Sequence, residues 1–181
     1  MGEPFVNVSM NNATLVMMHT YSLVPSPVGE LLIAATDDGV THLLFERASG
    51  GHDIDGGWRA DDATRSPASA WITSVRSQLT EYFGGARRTF DVPLAASGTA
   101  FQRAVWSTLR DIDYGTTISY GELARRIANP RAVRAVGLAN GRNPISILVP
   151  CHRVIGANGT LTGYGGGLDR KRWLLSHERA R

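Results

Sequence analysis

The stretch Ile147-Leu148-Val149-Pro150-Cys151-His152-Arg153-Val154-Ile155 carries a thiol, an imidazole and a guanidinium at three consecutive positions, and Cys151 is the chain's one cysteine. An apolar, β-branched run reads as a buried strand, and proline ends its regularity. A strand interior has no use for three such groups, whereas a nucleophile site does. The attacking species is a thiolate, favoured by positive charge and a nearby base, so an accessible, electron-rich sulfur is expected. The competing reading is that a cysteine among Ile, Leu and Val is a small inert core residue. A carboxylate that could serve the site lies near the C-terminus. Glu178 closes a helix that runs from Asp169 as its cap, where a negative charge opposes the dipole at a cost of roughly a few tenths of a kcal/mol. It pairs either with Arg181, three residues on, or with a distant partner such as His152, whose tautomer it would then hold.

The elements that must position these groups fall into two units, expected at 13–96 and 97–181. In the first, Thr14 to Leu23, Glu30 to Thr36 and Val40 to Phe45 read as strands, with Asp38-Gly39 a tight hairpin signal. Ala48 to Arg65, rich in Gly and Asp, reads as a loop. Ser66-Pro67 opens a helix whose Trp71, Val75, Leu79 and Tyr82 recur at helical spacing, and Phe90, Val92 and Leu94 alternate as a short strand. This is a small α+β unit. His19, His42 and His52 show no ligand spacing, and the residues of this half suggest no chemistry.

In the second unit, Thr99 with Gln102 forms a capping box ahead of a helix with Phe101, Val105, Leu109 and Ile112 on one face. Ser119 with Glu122 forms another, and Asn129-Pro130 separates that short helix from a further one over Arg131 to Asn140. Two short helices joined by a tight turn, with Arg131 and Arg134 on one face among Ala132, Ala135 and Ala139, make a helix-turn-helix pattern whose small residues allow close approach to a groove. A solvated basic face is the plainer alternative. Asn158-Gly159 predicts a hairpin between Arg153–Ala157 and Thr160–Thr162. The loop Gly163-Tyr164-Gly165-Gly166-Gly167 lets backbone approach a ligand beneath an aromatic ring. It lacks the Lys-Ser/Thr of a phosphate-binding loop, which disfavours nucleotide hydrolysis.

Charge supports this division. Residues 1–98 hold 6 basic against 11 acidic side chains and residues 99–181 hold 13 against 5, within an overall charge of +3. A basic second half suits a polyanion. Hydrophobic content of 43% and charged content of 19% describe an ordinary soluble protein. There is no apolar run of the ~20 residues a membrane span needs, and Met1 to Asn12 has no secretory pattern. One cysteine forms no internal disulfide and excludes a multi-cysteine metal site. No metal and no cofactor is expected, and a reducing cytoplasm is the natural setting.

Pro150-Cys151-His152-Arg153-Val154-Ile155 resembles the active-site signature of the O6-alkylguanine-DNA alkyltransferases, the methylated-DNA–protein-cysteine methyltransferases. The resemblance runs from about Gly98 to Glu178. It takes in Phe101-Gln102 with Val105-Trp106, Tyr114-Gly115, Ser119-Tyr120, Arg134-Ala135-Val136-Gly137, Asn143-Pro144, Gly163-Tyr164 and His177-Glu178. It implies an N-terminal RNase H-like antiparallel sheet with a helix, followed by a winged helix-turn-helix domain. It implies Cys151 as alkyl acceptor, His152 taking its proton through a water, Glu178 orienting His152, and Asn143 bracing the loop that holds the site. Tyr120 would assist nucleotide flipping and donate toward the guanine ring, and Arg134 would fill the vacated stack. Ser119, Arg131 and Ala135 would lie at the DNA, and Tyr164, Gly165, Val154 and Pro150 would line the base pocket. The implied partner is double-stranded DNA carrying alkylated bases, met by a monomer, with cooperative assembly on DNA left open. Gly165 stands where some members have serine, and Asn140 where some are more apolar. A cysteine hydrolase and a lesion-binding protein with an inert Cys151 are the rival functions.

Overall fold

The computed structural model describes residues 18–62 and 66–179. The start of the first expected strand at 14–17, the end of the 48–65 loop at 63–65, and Arg181 fall outside them. The first half is a four-stranded sheet, β1 (Thr20–Val24), β2 (Leu31–Thr36), β3 (Gly39–Phe45) and β4 (Arg59–Ala60), in the order β3-β2-β1-β4. The first three strands pair antiparallel as expected, but β4 runs parallel to β1, inside the segment that composition marks as a loop. Trp58 draws it there, its ring stacked on His19 at 5.0 Å and tilted against His42 at 4.8 Å. Every residue of β2, which lies between β3 and β1, is buried, and α1 (Pro67–Phe83) packs against it. Ser66 caps that helix by accepting from Ser69 N–H, and the stripe of Val75, Leu79 and Tyr82 is buried.

Phe90, Val92 and Leu94 do not form a strand. Pro93 has no N–H to give, and Gln78 Oε1 accepts from the Asp91 N–H at 2.8 Å. A single bridge to β3 is left, with Val40 N–H donating to Pro93 O and Ala95 N–H to Val40 O.

The second half contains α2 (Ala100–Leu109), β5 (Ile118–Ser119), α3 (Tyr120–Arg126), α4 (Val133–Gly141), a 3-10 turn at Cys151–Arg153, β6 (Val154–Ile155) and α5 (Leu168–Arg179). The Thr99–Gln102 capping box is complete. At α3 only Ser119 caps, since the Glu122 carboxylate turns to Arg125 and Arg126. The helix-turn-helix pairs α3 with α4, and Trp106 of α2 ties to it by donating to Ala139 O at 2.8 Å. α4 starts two residues later than expected because Ala132 N–H closes a turn on Asn129 O. Asp169 lies within the first turn of α5, paired with Arg172, rather than capping it.

No two-residue hairpin forms at Asn158-Gly159. Gly156 N–H reaches Thr160 O across a wider turn, and the 160–162 segment pairs with no strand. The cause is a buried ammonium. Lys171 Nζ donates to Val154 O at 2.6 Å and to Thr162 O at 3.0 Å, so it spans the gap between the two segments. No described helix is long and apolar enough to cross a membrane.

Gly39 tests how closely the segment around Pro93 is fitted to β3. It holds φ at 142°, and a Cβ there would lie 2.6 Å from Pro93 O, a carbonyl already committed to Val40. Gly39→Ala is expected to cost about 1–3 kcal/mol, read as a lowered urea midpoint.

Candidate active site

The cysteine lies beyond a reversal of the chain and not on a strand. Ile147 adopts φ of 70°, an uncommon conformation for a β-branched residue, and Leu148 N–H donates to Ser146 O across it. Asn143 holds this reversal. Its Oδ1 accepts from Ile145 N–H at 3.0 Å, and its Nδ2 donates to Val149 O at 2.8 Å and to Cys151 Sγ at 3.1 Å. β3 braces the same loop from outside, Leu43 N–H donating to Pro144 O and Ser146 N–H to Leu43 O.

Cys151 is buried, 4% exposed, where the residue types suggest an accessible sulfur. Burial pushes its thiol up, against the Asn143 hydrogen bond and the Lys171 charge, which both favour the thiolate. A sulfur so enclosed reacts only with what enters its pocket.

Next to it, His152 Nε2 lies 2.8 Å from Glu178 Oε1. Glu178 has four further donors among the described residues. Its Oε1 also accepts from Tyr82 OH at 2.9 Å and Arg153 Nη2 at 2.9 Å, and its Oε2 from Arg153 Nε at 2.9 Å and Gly115 N–H at 3.1 Å. Burial would raise its carboxyl, but the hydrogen bonds from His152 and Arg153 outweigh this and hold it far below the usual range. Burial likewise drives His152 toward the neutral form, and the Glu178 hydrogen bond opposes without reversing it. The permanently charged Arg153 already balances the carboxylate, so a neutral imidazole needs no second cation beside it. Its Nδ1 is buried without a protein partner, available as a proton acceptor.

Three residues of this site escape a reading of spacing. Tyr82 sits on a core stripe of α1, and only the fold shows that its hydroxyl reaches Glu178, which places one contributor in the half that suggested no chemistry. Arg153 looks like an activating charge but serves as the counter-ion of Glu178. Lys171 is fully buried, with its Nζ 6.0 Å from the ring centroids of both Tyr120 and Tyr164. Its being the one lysine beside 18 arginines is a signal in the sequence.

Tyr164 rises over the pocket, its hydroxyl buried, close enough to Ser146 and Cys151 to feel both but without a well-formed hydrogen bond. Asn140 donates to Cys151 O at 3.4 Å and keeps its own Oδ1 unpartnered. Tyr164 and Gly165 line a cavity of about 570 Å³ together with Asn143, Ser146 and Phe45. Val154 is buried in the core, and Pro150 edges a separate cavity of about 680 Å³ with Tyr114 and Arg153. Ser119 caps α3, and the Tyr120 ring packs over Gly137 of α4. Arg134 and Ala135 are exposed on α4, whereas Arg131 is exposed in the turn before it, off the helix face it was expected to share. Among the described residues no cluster of His, Cys, Asp and Glu could hold a metal ion.

The fold and site therefore define a two-part protein, a ribonuclease-like half followed by a DNA-binding half that carries one buried cysteine. Residues 19–96 match the ribonuclease-like domain, and residues 100–180 the DNA-binding domain, of 6-O-methylguanine DNA methyltransferase. The methylated-DNA–protein-cysteine methyltransferase of Methanosarcina acetivorans is 47% identical over 158 residues, 87% of this chain and 97% of that one. The crystal structure of Mycobacterium tuberculosis O6-methylguanine methyltransferase superposes with a TM-score of 0.80 at 46% identity, covering 91% of this chain and 94% of that one. A structure of the Mycobacterium tuberculosis protein in complex with DNA superposes at 0.79 and 44% identity, covering 90% and 93%. The chain belongs to the methylated-DNA–protein-cysteine methyltransferase family.

The buried pair sets the acid response. Folded Glu178 titrates below its ordinary 4.5 and folded His152 below its ordinary 6.5, so at each site the unfolded chain binds more protons. The pair's contribution to stability is full well above pH 6.5 and is lost as the pH drops, first as unfolded His152 protonates, then below 4.5 as unfolded Glu178 does. Glu178→Gln should shrink the second decline by this site's share. It should also cost about 3–5 kcal/mol at neutral pH by leaving Arg153 without its counter-ion. Denaturant midpoints between about pH 3 and 8 check both.

Proposed function

We propose that this protein repairs DNA by moving the alkyl group of O6-alkylguanine onto Cys151, once per molecule. The observation that carries this reading is a single thiol, enclosed and hydrogen-bonded by Asn143, beside an imidazole fixed on Glu178. The relatives' printed names and the DNA complex of the Mycobacterium tuberculosis protein support alkylated DNA as the substrate.

Duplex DNA would meet the basic face of α4 through Arg134, Ala135 and the preceding Arg131, with Ser119 at the start of α3. The target nucleotide leaves the stack, at a cost of a few kcal/mol that is least for a poorly paired base. Arg134 fills the space left behind, and Tyr120 assists the rotation. Guanine then lies beneath Tyr164 and along Gly165, with Val154 and Pro150 behind the acceptor. The thiol proton passes through a water to His152 Nδ1, and Glu178 keeps the other nitrogen occupied. Asn143 and Lys171 favour the thiolate so formed. The sulfur attacks the alkyl carbon, the S–C bond forms, and the C–O6 bond breaks with its electrons passing to the ring. Tyr120 supplies a proton to the departing guanine. The product thioether has no bond that water cleaves readily, so the thiol is not regenerated. O4-alkylthymine presents the same alkyl–oxygen bond and is a second candidate substrate. The protein would act as a monomer with little sequence preference, its affinity falling with salt, in the cytoplasm, where a free thiol stays reduced.

A cysteine hydrolase built on Cys151, His152 and Glu178 would release product repeatedly, whereas an alkyltransferase stops after one equivalent.

Intact mass after incubation with an O6-methylguanine duplex tests the proposal. The native protein gains one methylene equivalent, and Cys151→Ser gains none. Continuing turnover, or binding without a mass change, would sink it. Arg134→Ala should slow reaction with duplex by about tenfold or more while sparing the free base, and equal slowing would remove Arg134 from the flipping step. Glu178→Gln should lower the rate at which Cys151 reacts, measured in single-turnover assays on folded protein.

A further inference from the structure

The loop that carries Tyr164 is held from the N-terminal half. Arg170, one turn after that loop, donates from Nε to Val28 O at 2.8 Å and from Nη1 to Glu46 O at 2.7 Å and Gly166 O at 3.3 Å. Its guanidinium therefore joins the turn after β1, the end of β3 and the loop itself. It also lies 5.2 Å over the Phe45 ring centroid, a cation–π distance. Phe45 in turn meets Tyr164 with centroids 5.8 Å apart. Gly166 lies so close beneath Phe45 that any Cβ there would fall inside the ring's van der Waals envelope, and at Gly29 a Cβ would come within 3.1 Å of Arg170. The two glycines let the clamp close. The same strand, β3, also braces the Asn143 loop through Leu43. Both walls of the pocket, the one bearing Asn143 and the one bearing Tyr164, are thus referred to one strand outside the DNA-binding half.

We propose that Phe45 and Arg170 are positioning residues for base recognition: they hold the 163–167 loop, and so Tyr164, at the separation from Cys151 that the extruded guanine requires. The N-terminal half then sets how well the pocket grips the base and leaves the reactivity of the sulfur to Asn143, His152 and Lys171. This rests on the reading of the pocket as a guanine site.

The test compares two reagents on the full chain. Free O6-benzylguanine reports base recognition together with transfer, and iodoacetamide reports the thiol alone. Phe45→Ala and Arg170→Gln should each lower the second-order rate with O6-benzylguanine about tenfold or more, while the iodoacetamide rate holds or rises as the loop loosens. Arg170→Lys should not rescue, because an ammonium lacks the planar fork that spans three carbonyls. The Phe45→Ala/Arg170→Gln double variant should be no slower than the worse single one, as expected of one device.

Equal loss with both reagents, no loss with either, or strictly additive losses would overturn the proposal. If both single variants fail to fold, by circular dichroism and thermal melting, the clamp is structural only and the proposal falls. Should the native protein take an alkyl group neither from O6-benzylguanine nor from the O6-methylguanine duplex, the guanine-site reading fails instead, a result distinct from native transfer with indifferent variants.

Discussion

A single buried carboxylate ties the molecule together. Glu178 accepts from Tyr82 of α1, from the backbone at Gly115, from the imidazole of His152 and twice from the guanidinium of Arg153. Those donors come from three separate stretches of chain, and one oxygen pair satisfies all of them. An ionised group so deep in the protein is tolerable only because its partners replace what water would have supplied. The arrangement has a chemical corollary: Arg153 carries the balancing charge, which leaves the neighbouring imidazole neutral and able to receive a proton. Charge balance and proton acceptance are divided between adjacent residues.

The second constraint is the shape of the chain before the cysteine. Asn143 converts what would be a continuous strand into a reversal through Ile147, and its amide holds the sulfur that follows. A strained β-branched residue persists there because the surrounding hydrogen bonds over-determine it. The brace from Leu43 matters for the same reason, since strain held by one side chain alone would relax.

What could be read in the chain beforehand follows from how local each determinant is. The helix caps at Ser66 and Thr99, the hairpin at Gly39 and the pairing of α3 with α4 depend on neighbours within a few residues, and they form where spacing points. The cysteine, the histidine after it and the carboxylate near the end were legible because residue type already implies chemistry. Tyr82 was not, because its hydroxyl meets a partner 96 positions away and its place on a core stripe explains it sufficiently. The strand read in the apolar run before Cys151 and the hairpin at Asn158 failed for a shared reason. In each, a buried side chain, Asn143 or Lys171, binds backbone groups that a regular ladder would have used.

Lys171 has a consequence of its own. The ammonium is the one lysine in 181 residues and is wholly shielded from solvent. Apart from the α-amine at the chain's start, the folded molecule presents no primary amine for acylation or conjugation at lysine. Any enzyme or reagent that marks lysines must wait for the region around the glycine loop to come apart, so a mark at that position would record unfolding and not surface encounter.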